Sequence, residues 1–229
     1  MKAGALVIVD GPSGSGKDTL LSALAGKAIV EGRETRYISE EDLDRNRHKI
    51  LEARQRGKEK GGTGDREMAD ELTKHRAEIY KEYVDPLISS GKIVLGNRGE
   101  AATLAYQTAR GELSMNDVWK MHRKLGVRKP DFVVITVCNP ETSIKREEFD
   151  RNDTATRNER EKGSGLSGKV TAEQGLTKEE EIDRRRAIFG QYLETANFLK
   201  ERGVNVLVLN TEAFAVDQEV QAVKNFVNR

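Results

Sequence analysis

Apolar residues in this chain follow two spacings. Ala5-Leu6-Val7-Ile8-Val9 is an unbroken apolar run, the pattern of a strand covered on both faces. Short apolar runs recur at 92–96, 132–137 and 204–209, and Thr35 to Ser39 makes a further short candidate strand. Between them the spacing becomes helical. Leu20, Leu21 and Leu24 predict a helix ending near Gly32, and Leu43, Ile50 and Leu51 give 40–56 a thin apolar face. Met68, Leu72, Ile79, Tyr83, Leu87 and Ile88 mark one face of a long helix, which Pro86 should kink or end early and Gly91 should cap. Two helical pieces follow at 101–110 and 114–125, and another begins at 141. Ile182, Ile188, Phe189, Tyr192, Leu193 and Phe198 pattern a helix over 178–202, and 213–227 is the last.

Strands alternating with helices predict an α/β fold in three layers, a mostly parallel five-stranded sheet with helices on both faces. Two segments break the periodicity. The Gly, Lys and Glu-rich stretch 57–64 reads as a mobile surface loop. Residues 150–177 are rich in Arg, Asn, Gly and Ser and nearly empty of large apolar side chains, so they cannot pack as core and read as a mobile lid, at about 148–178, on a single domain spanning 1–229.

Composition narrows the possibilities. Lys and Arg number 39 against 38 Asp and Glu, so net charge offers no general argument for nucleic acid or a membrane surface. Cys138 is the only cysteine, which excludes an intramolecular disulfide and a cysteine-rich zinc site. With no signal-peptide pattern and no apolar run approaching a membrane span, a cytoplasmic location is expected. His48, His75 and His122 lack partners at metal or triad spacing and read as surface residues, while Met115, Trp119 and Met121 read as packing.

The chemistry concentrates between the first strand and the first helix, in Asp10-Gly11-Pro12-Ser13-Gly14-Ser15-Gly16-Lys17-Asp18-Thr19. Strand, glycine-rich turn and helix are the context a phosphate-binding loop requires. Gly11, Gly14 and Gly16 let the backbone turn its N–H groups inward, the helix start adds positive potential, and Lys17 adds a mobile charge for the outer phosphates of a nucleotide. In the usual motif a Ser or Thr hydroxyl follows the lysine and ligates Mg2+. Here Asp18 stands there and Thr19 comes one later.

From residue 76 onward the chain resembles the thymidylate kinase family. The resemblance rests on Arg76, Pro86, Gly91, a strand, Asn97-Arg98, and Ala102-Thr103-Leu104-Ala105-Tyr106-Gln107, then Lys129-Pro130-Asp131, a strand and Asn139-Pro140-Glu141. It implies a P-loop kinase that uses MgATP, with the loop from Gly11 to Thr19 and Lys17 holding donor phosphates. Arg76 and Arg98 would hold the phosphate of a nucleotide acceptor, dTMP first, with Leu72, Thr103, Tyr106 and Gln107 around it. Arg151, Arg157 and Arg160 would close over the transferring group, and the family suggests a homodimer. Competing plain readings are a structural ion pair for Arg98 and a solvated helix face for Arg76.

The chain departs from the family at chosen points. The family's Asp before the arginine is Asn97, its fourth-strand Asp is replaced near Val137, and its base-stacking aromatic is Leu72. Ser39-Glu40-Glu41 stands in place of the family's Arg-Glu-Pro. Because the strand carrying Asn97 should lie beside the loop strand, Asp18 and Asn97 can approach one Mg2+, with a carboxylate moved from one side of the metal to the other. A small-metabolite kinase acting on a sugar phosphate, and a non-catalytic nucleotide switch, are the alternatives; the Gly-Lys-Asp ending also resembles ribose bisphosphate kinases.

Overall fold

A computed structural model of the chain describes residues 4–40, 47–158 and 177–229; the side chains of 47 and of 151–158 lie outside the described set, as do residues 41–46 and 159–176 entirely. The sheet has the order β2-β3-β1-β4-β5, with every neighbouring pair parallel. Its strands are β1 (Ala5–Asp10), β2 (Thr35–Ser39), β3 (Ile93–Asn97), β4 (Phe132–Val137) and β5 (Asn205–Asn210). All five expected strands are therefore present. The unbroken apolar run of β1 reflects its central place: Leu6 and Ile8 join one buried cluster, and Val7 and Val9 join another on the opposite face.

The helices are α1 (Lys17–Leu24), α2 (Arg47–Glu59), α3 (Asp65–Ile79), α4 (Asp85–Ser89), α5 (Glu100–Thr108), α6 (Met115–Lys124), α7 (Pro140–Asn158), α8 (Lys178–Glu201) and α9 (Val216–Val227). On one face of the sheet Leu20, Leu21 and Leu24 of α1 pack with Val220, Val223 and Val227 of α9. On the other face residues of α3, α5, α6 and α8 surround Leu6, Ile8, Val94 and Ile135. Met115, Trp119 and Met121 are packed against that cluster, as expected.

Several local expectations needed correction. Helix α1 stops at Leu24, because Ala25 leaves the helical region and Gly26 turns at φ 72°. The stretch from Gly57 is no open loop. Helix α2 runs through it to Glu59, burying Ile50, Ala53 and Gly57 while Leu51 stays 55% exposed. The seam with α3 is made of small residues, so hydrophobicity gave no signal of it. A methyl at Gly57 would run into the Cα of Gly64, whose own φ is 79°.

The long helix around Pro86 divides into α3, a π-helical turn at Tyr80–Val84 and α4. Proline has no N–H to return to the preceding turn, and a widened turn absorbs the shift in the hydrogen-bond ladder. Helix α7 continues to Asn158, so the first part of the expected lid is helical in its backbone. Leu193 of α8, expected on the apolar face, is 46% exposed.

Replacing Gly57 by Ala should lower unfolding free energy by about 1–3 kcal/mol, the usual cost of overpacking. Gly190→Ala, in α8 with open space around the new methyl, should raise it by about 0.5–1 kcal/mol. Urea denaturation of the two variants checks the pair.

Candidate functional site

At the carboxyl edge of the sheet β1 opens into the phosphate loop. Gly14 and Gly16 have φ of 71° and 85°, and Ser15 N–H closes a turn by donating to the Pro12 carbonyl at 3.2 Å. Helix α1 starts at Lys17 with no side-chain cap on its first N–H groups among the described residues. Those donors and the helix dipole favour an anion. The loop carbonyls are meanwhile held outward by the protein. Arg185 Nη1 donates to Ser13 O at 3.2 Å, Arg146 Nη1 to Gly14 O at 3.5 Å, and Thr211 Oγ1 to Ser15 O at 2.9 Å. A cleft of about 330 Å³ lies here, with the loop on one wall and Lys145, Arg146 and the exposed Phe149 of α7 on the other.

The Lys17 ammonium is buried at 5% exposure and donates to Asn97 Oδ1 at 3.0 Å. It also pairs with the Asp18 carboxylate, whose side chain is 82% exposed. Parallel pairing of β1 with β3, with Val9 opposite Asn97, causes this meeting. Asp18 and Asn97 thus converge on the Lys17 ammonium.

Asp10 was not singled out by its sequence, yet it joins three parts of the site. Its fully buried carboxylate accepts from Gly11 N at 2.8 Å, from Gly99 N at 3.2 Å, from Ala102 N at 2.9 Å and from the Tyr192 hydroxyl at 3.0 Å. Gly99 and Ala102 open α5, so the carboxylate caps that helix from the side. Between β3 and this cap sits Arg98, with φ of 66°, the described non-glycine residue with positive φ. A bulky residue in that region costs of order 1–3 kcal/mol and persists where the surroundings over-determine it, as they do at functional sites. Here the Asp10 staple and the Arg98 N–H donating to Val9 O at 3.0 Å supply the constraint.

Arg76 is 2% exposed, which overturns the solvated-face reading. Its Nε and Nη2 donate to both oxygens of Glu40 at 2.6 and 2.9 Å, and Nη1 reaches Thr103 Oγ1 at 3.2 Å and His122 Nε2 at 2.5 Å. Burial opposes its charge, but Glu40 more than offsets this and the guanidinium is held firmly protonated. His122 and His75 are buried, not surface residues. The His122 Nδ1–H donates to Val118 O at 2.8 Å, leaving Nε2 to accept from Arg76. Burial, with Arg76 beside it, pushes the imidazole down to about 3, so it stays neutral as that bond requires. Burial likewise pushes Glu100 up to about 7 against the pull of Arg123 and Arg76.

Of the remaining expected residues, Leu72 is half-buried on α3, and Gln107 is buried with Nε2 3.7 Å from Met68 Sδ. Tyr106 lies at 5.8 Å, edge to face, on Tyr192. Burial raises its phenol, while Arg98, Arg185 and the Ser13 backbone pull the other way, so donor loop and α5 meet at this hydroxyl. The side chains of Arg151 and Arg157, and all of Arg160, lie outside the described residues. Arg146, Arg185, Asp10 and Glu40 were missed. For Arg185 a signal existed: it stands seven residues before Tyr192, on the same helical stripe.

The fold and these contacts agree with sequence relationships. A family model described as thymidylate kinase matches residues 9–165. A thymidylate kinase of Bacillus licheniformis is 28% identical over 68% of this chain and 72% of the relative. One from Limosilactobacillus fermentum is 24% identical over 68% and 73%, and one from Chlorobium luteolum 31% identical over 62% and 65%. The match spans the phosphate loop, the Arg76 helix, the Asn97-Arg98 turn, Tyr106 and the start of α7, and on that ground the chain belongs to the thymidylate kinase family.

Proposed function

We propose that this chain transfers the γ-phosphoryl group of MgATP to a nucleoside monophosphate, with dTMP the leading acceptor, yielding a diphosphate and ADP. The observation that carries the reading is the pairing of two anion-binding features on one edge of the sheet. The amide cradle with Lys17 is one, and the strained Arg98 turn is the other, tied to the cradle through Asp10. Phosphoryl transfer asks a protein chiefly to align two polyanions and neutralise their repulsion. The loop amides and Lys17 hold the donor phosphates; Arg98 binds the acceptor phosphate with its planar fork. The lid closes over both and keeps water from the transferring group.

Arg76 takes a different part from the one expected. With Glu40, Thr103 and His122 already on its fork, it organises the acceptor wall and reaches a phosphate only by giving up Glu40. Leu72 offers apolar area to the base without ring stacking, which is worth about 0.5–1.5 kcal/mol beyond burial. Family membership weighs against the sugar-phosphate and non-catalytic readings. Release of ADP measured across nucleoside monophosphates and sugar phosphates should be fastest with dTMP; equal rates on all monophosphates, or turnover on a sugar phosphate alone, would overturn the assignment.

Among the described residues no three His, Cys, Asp or Glu side chains form a metal-holding group. Mg2+ does not need one, because it is commonly held by one or two protein oxygens together with substrate phosphates and waters. The exposed Asp18 carboxylate and the Asn97 amide oxygen, both on Lys17, fit that pattern. Asp18 would hold the ion directly or through water, and the ion would screen charge on the donor phosphates. Without it, Asp18 repels a phosphate by about 1 kcal/mol at 4 Å even in bulk water. Asp18→Thr should weaken the Mg2+ dependence of ATP binding and turnover, and adding Asn97→Asp should restore part of it. An Asp18→Thr enzyme indistinguishable from the parent at limiting Mg2+ removes the idea.

Arg98→Gly should separate function from stability. Relief of the positive φ should offset lost side-chain contacts, keeping the thermal midpoint at or above that of the parent, since the strain is of order 1–3 kcal/mol. Turnover should fall by about thirty- to a hundred-and-fiftyfold, as loss of a charged hydrogen bond worth about 2–3 kcal/mol implies. Differential scanning fluorimetry and steady-state kinetics read the two effects.

A further inference from the structure

Three consecutive arginines, Arg184, Arg185 and Arg186, lie where the second turn of α8 passes into the third, and they differ in direction. Arg184 and Arg186 are exposed, whereas the Arg185 side chain is 15% exposed. Reading back along the buried stripe of α8 from Leu199 through Ala196, Tyr192 and Phe189, the next position is Arg185. The stripe meets the core up to Phe189 and then emerges over the mouth of the phosphate loop. A guanidinium has been placed where a core side chain would otherwise stand.

Its surroundings are those of a charge held in reserve. Arg185 Nη2 pairs with Glu147 of α7 and lies 3.5 Å from Glu181, while Nη1 donates to Ser13 O at 3.2 Å. The carboxylates keep the guanidinium charged against the cost of burial. Arg146 is another described arginine bonded to the loop, through Gly14 O. It is spent on Thr211, with Nη1 2.8 Å from Oγ1 and Nη2 3.3 Å from the carbonyl. Arg185 and the Tyr106 hydroxyl of α5 both lie at the Ser13 backbone. The phosphate loop, α5 and Arg185 therefore meet at Ser13.

We propose that Arg185, on the helix after the lid, is a catalytic arginine that neutralises the transferring phosphoryl group. This rests on the kinase reading above. The acceptor phosphate oxygen forms the new bond to the γ-phosphorus as the bond to the bridging oxygen breaks, and that electron pair stays on ADP. The attacking dianion has no proton to lose, and Arg185 gives none. When two polyanions occupy the site, its fork exchanges Glu147 and Ser13 O for oxygens of the group in flight, where charge is spread over the equatorial positions.

The test compares Arg185→Ala and Arg185→Lys with Arg186→Ala, measuring kcat, both KM values and the equilibrium dissociation constant of ATP. The expected result is a fall in kcat of about a thousandfold in Arg185→Ala, the lower range for such an arginine, with the ATP constant within about threefold of the parent. Added guanidinium ion should recover part of the lost kcat, and Arg186→Ala should match the parent. Arg185→Lys keeps a charge and most of the volume, so it reads the same ratio if the alanine variant does not fold. A kcat within tenfold of the parent, a loss confined to ATP affinity, or an absence of rescue overturns the proposal. A parent enzyme inactive on every monophosphate overturns the kinase reading with it, whereas an active parent with an unimpaired Arg185→Ala overturns this assignment alone.

Discussion

The buried Asp10 carboxylate is the contact on which the functional edge depends. A charge in the interior is tolerable only when hydrogen bonds replace its water, and Asp10 takes those bonds from the phosphate loop, the start of α5 and the Tyr192 hydroxyl. The four donors belong to three segments: the phosphate loop, the start of α5 and helix α8. Because one side chain satisfies all three, their relative positions are set together. The positive φ of Arg98 is held in place at the same junction.

Around this staple the protein manages charge by keeping its own acceptors away from the anion. The loop carbonyls of Ser13, Gly14 and Ser15 accept from Arg185, Arg146 and Thr211, which leaves the loop amides uncommitted to these groups. Two helix stems, α7 and α8, thereby bear on the loop, and Glu147 links them through Arg185. Helices α7 and α8 are thereby tied to each other and to the loop. On the acceptor side the Glu40–Arg76 pair with neutral His122 forms a second buried polar network. Such a network is stable only while each member keeps its partner, so it is rigid at rest.

Much of this was legible in the sequence where a single local signal sufficed. Most of the strands could be read because continuous apolar runs of that length suit a doubly covered parallel sheet, and the loop because glycine spacing and flanking elements jointly define it. The resemblance around Arg76, Asn97-Arg98 and Tyr106 pointed correctly to the family. What could not be read had no local period. The α2–α3 seam is built on Gly57, Ala53 and Gly64, whose value is their small size. His122 is buried because Arg76 needs an uncharged acceptor, a partner forty-six positions away.

By itself, then, the sequence determined the fold class, the glycine-rich loop between β1 and α1 and the family, since each is encoded by residues adjacent along the chain or repeated at a fixed spacing. Tertiary structure alone decided which charges are spent and which are available. It committed Arg76 to Glu40, gave Asp10 its three duties and brought Asp18 and Asn97 to one ammonium. It also turned Arg185 inward between two outward neighbours. The physical reason is that an ionisable side chain acquires its role from the partners and burial that distant segments impose, and no pattern along the chain records those.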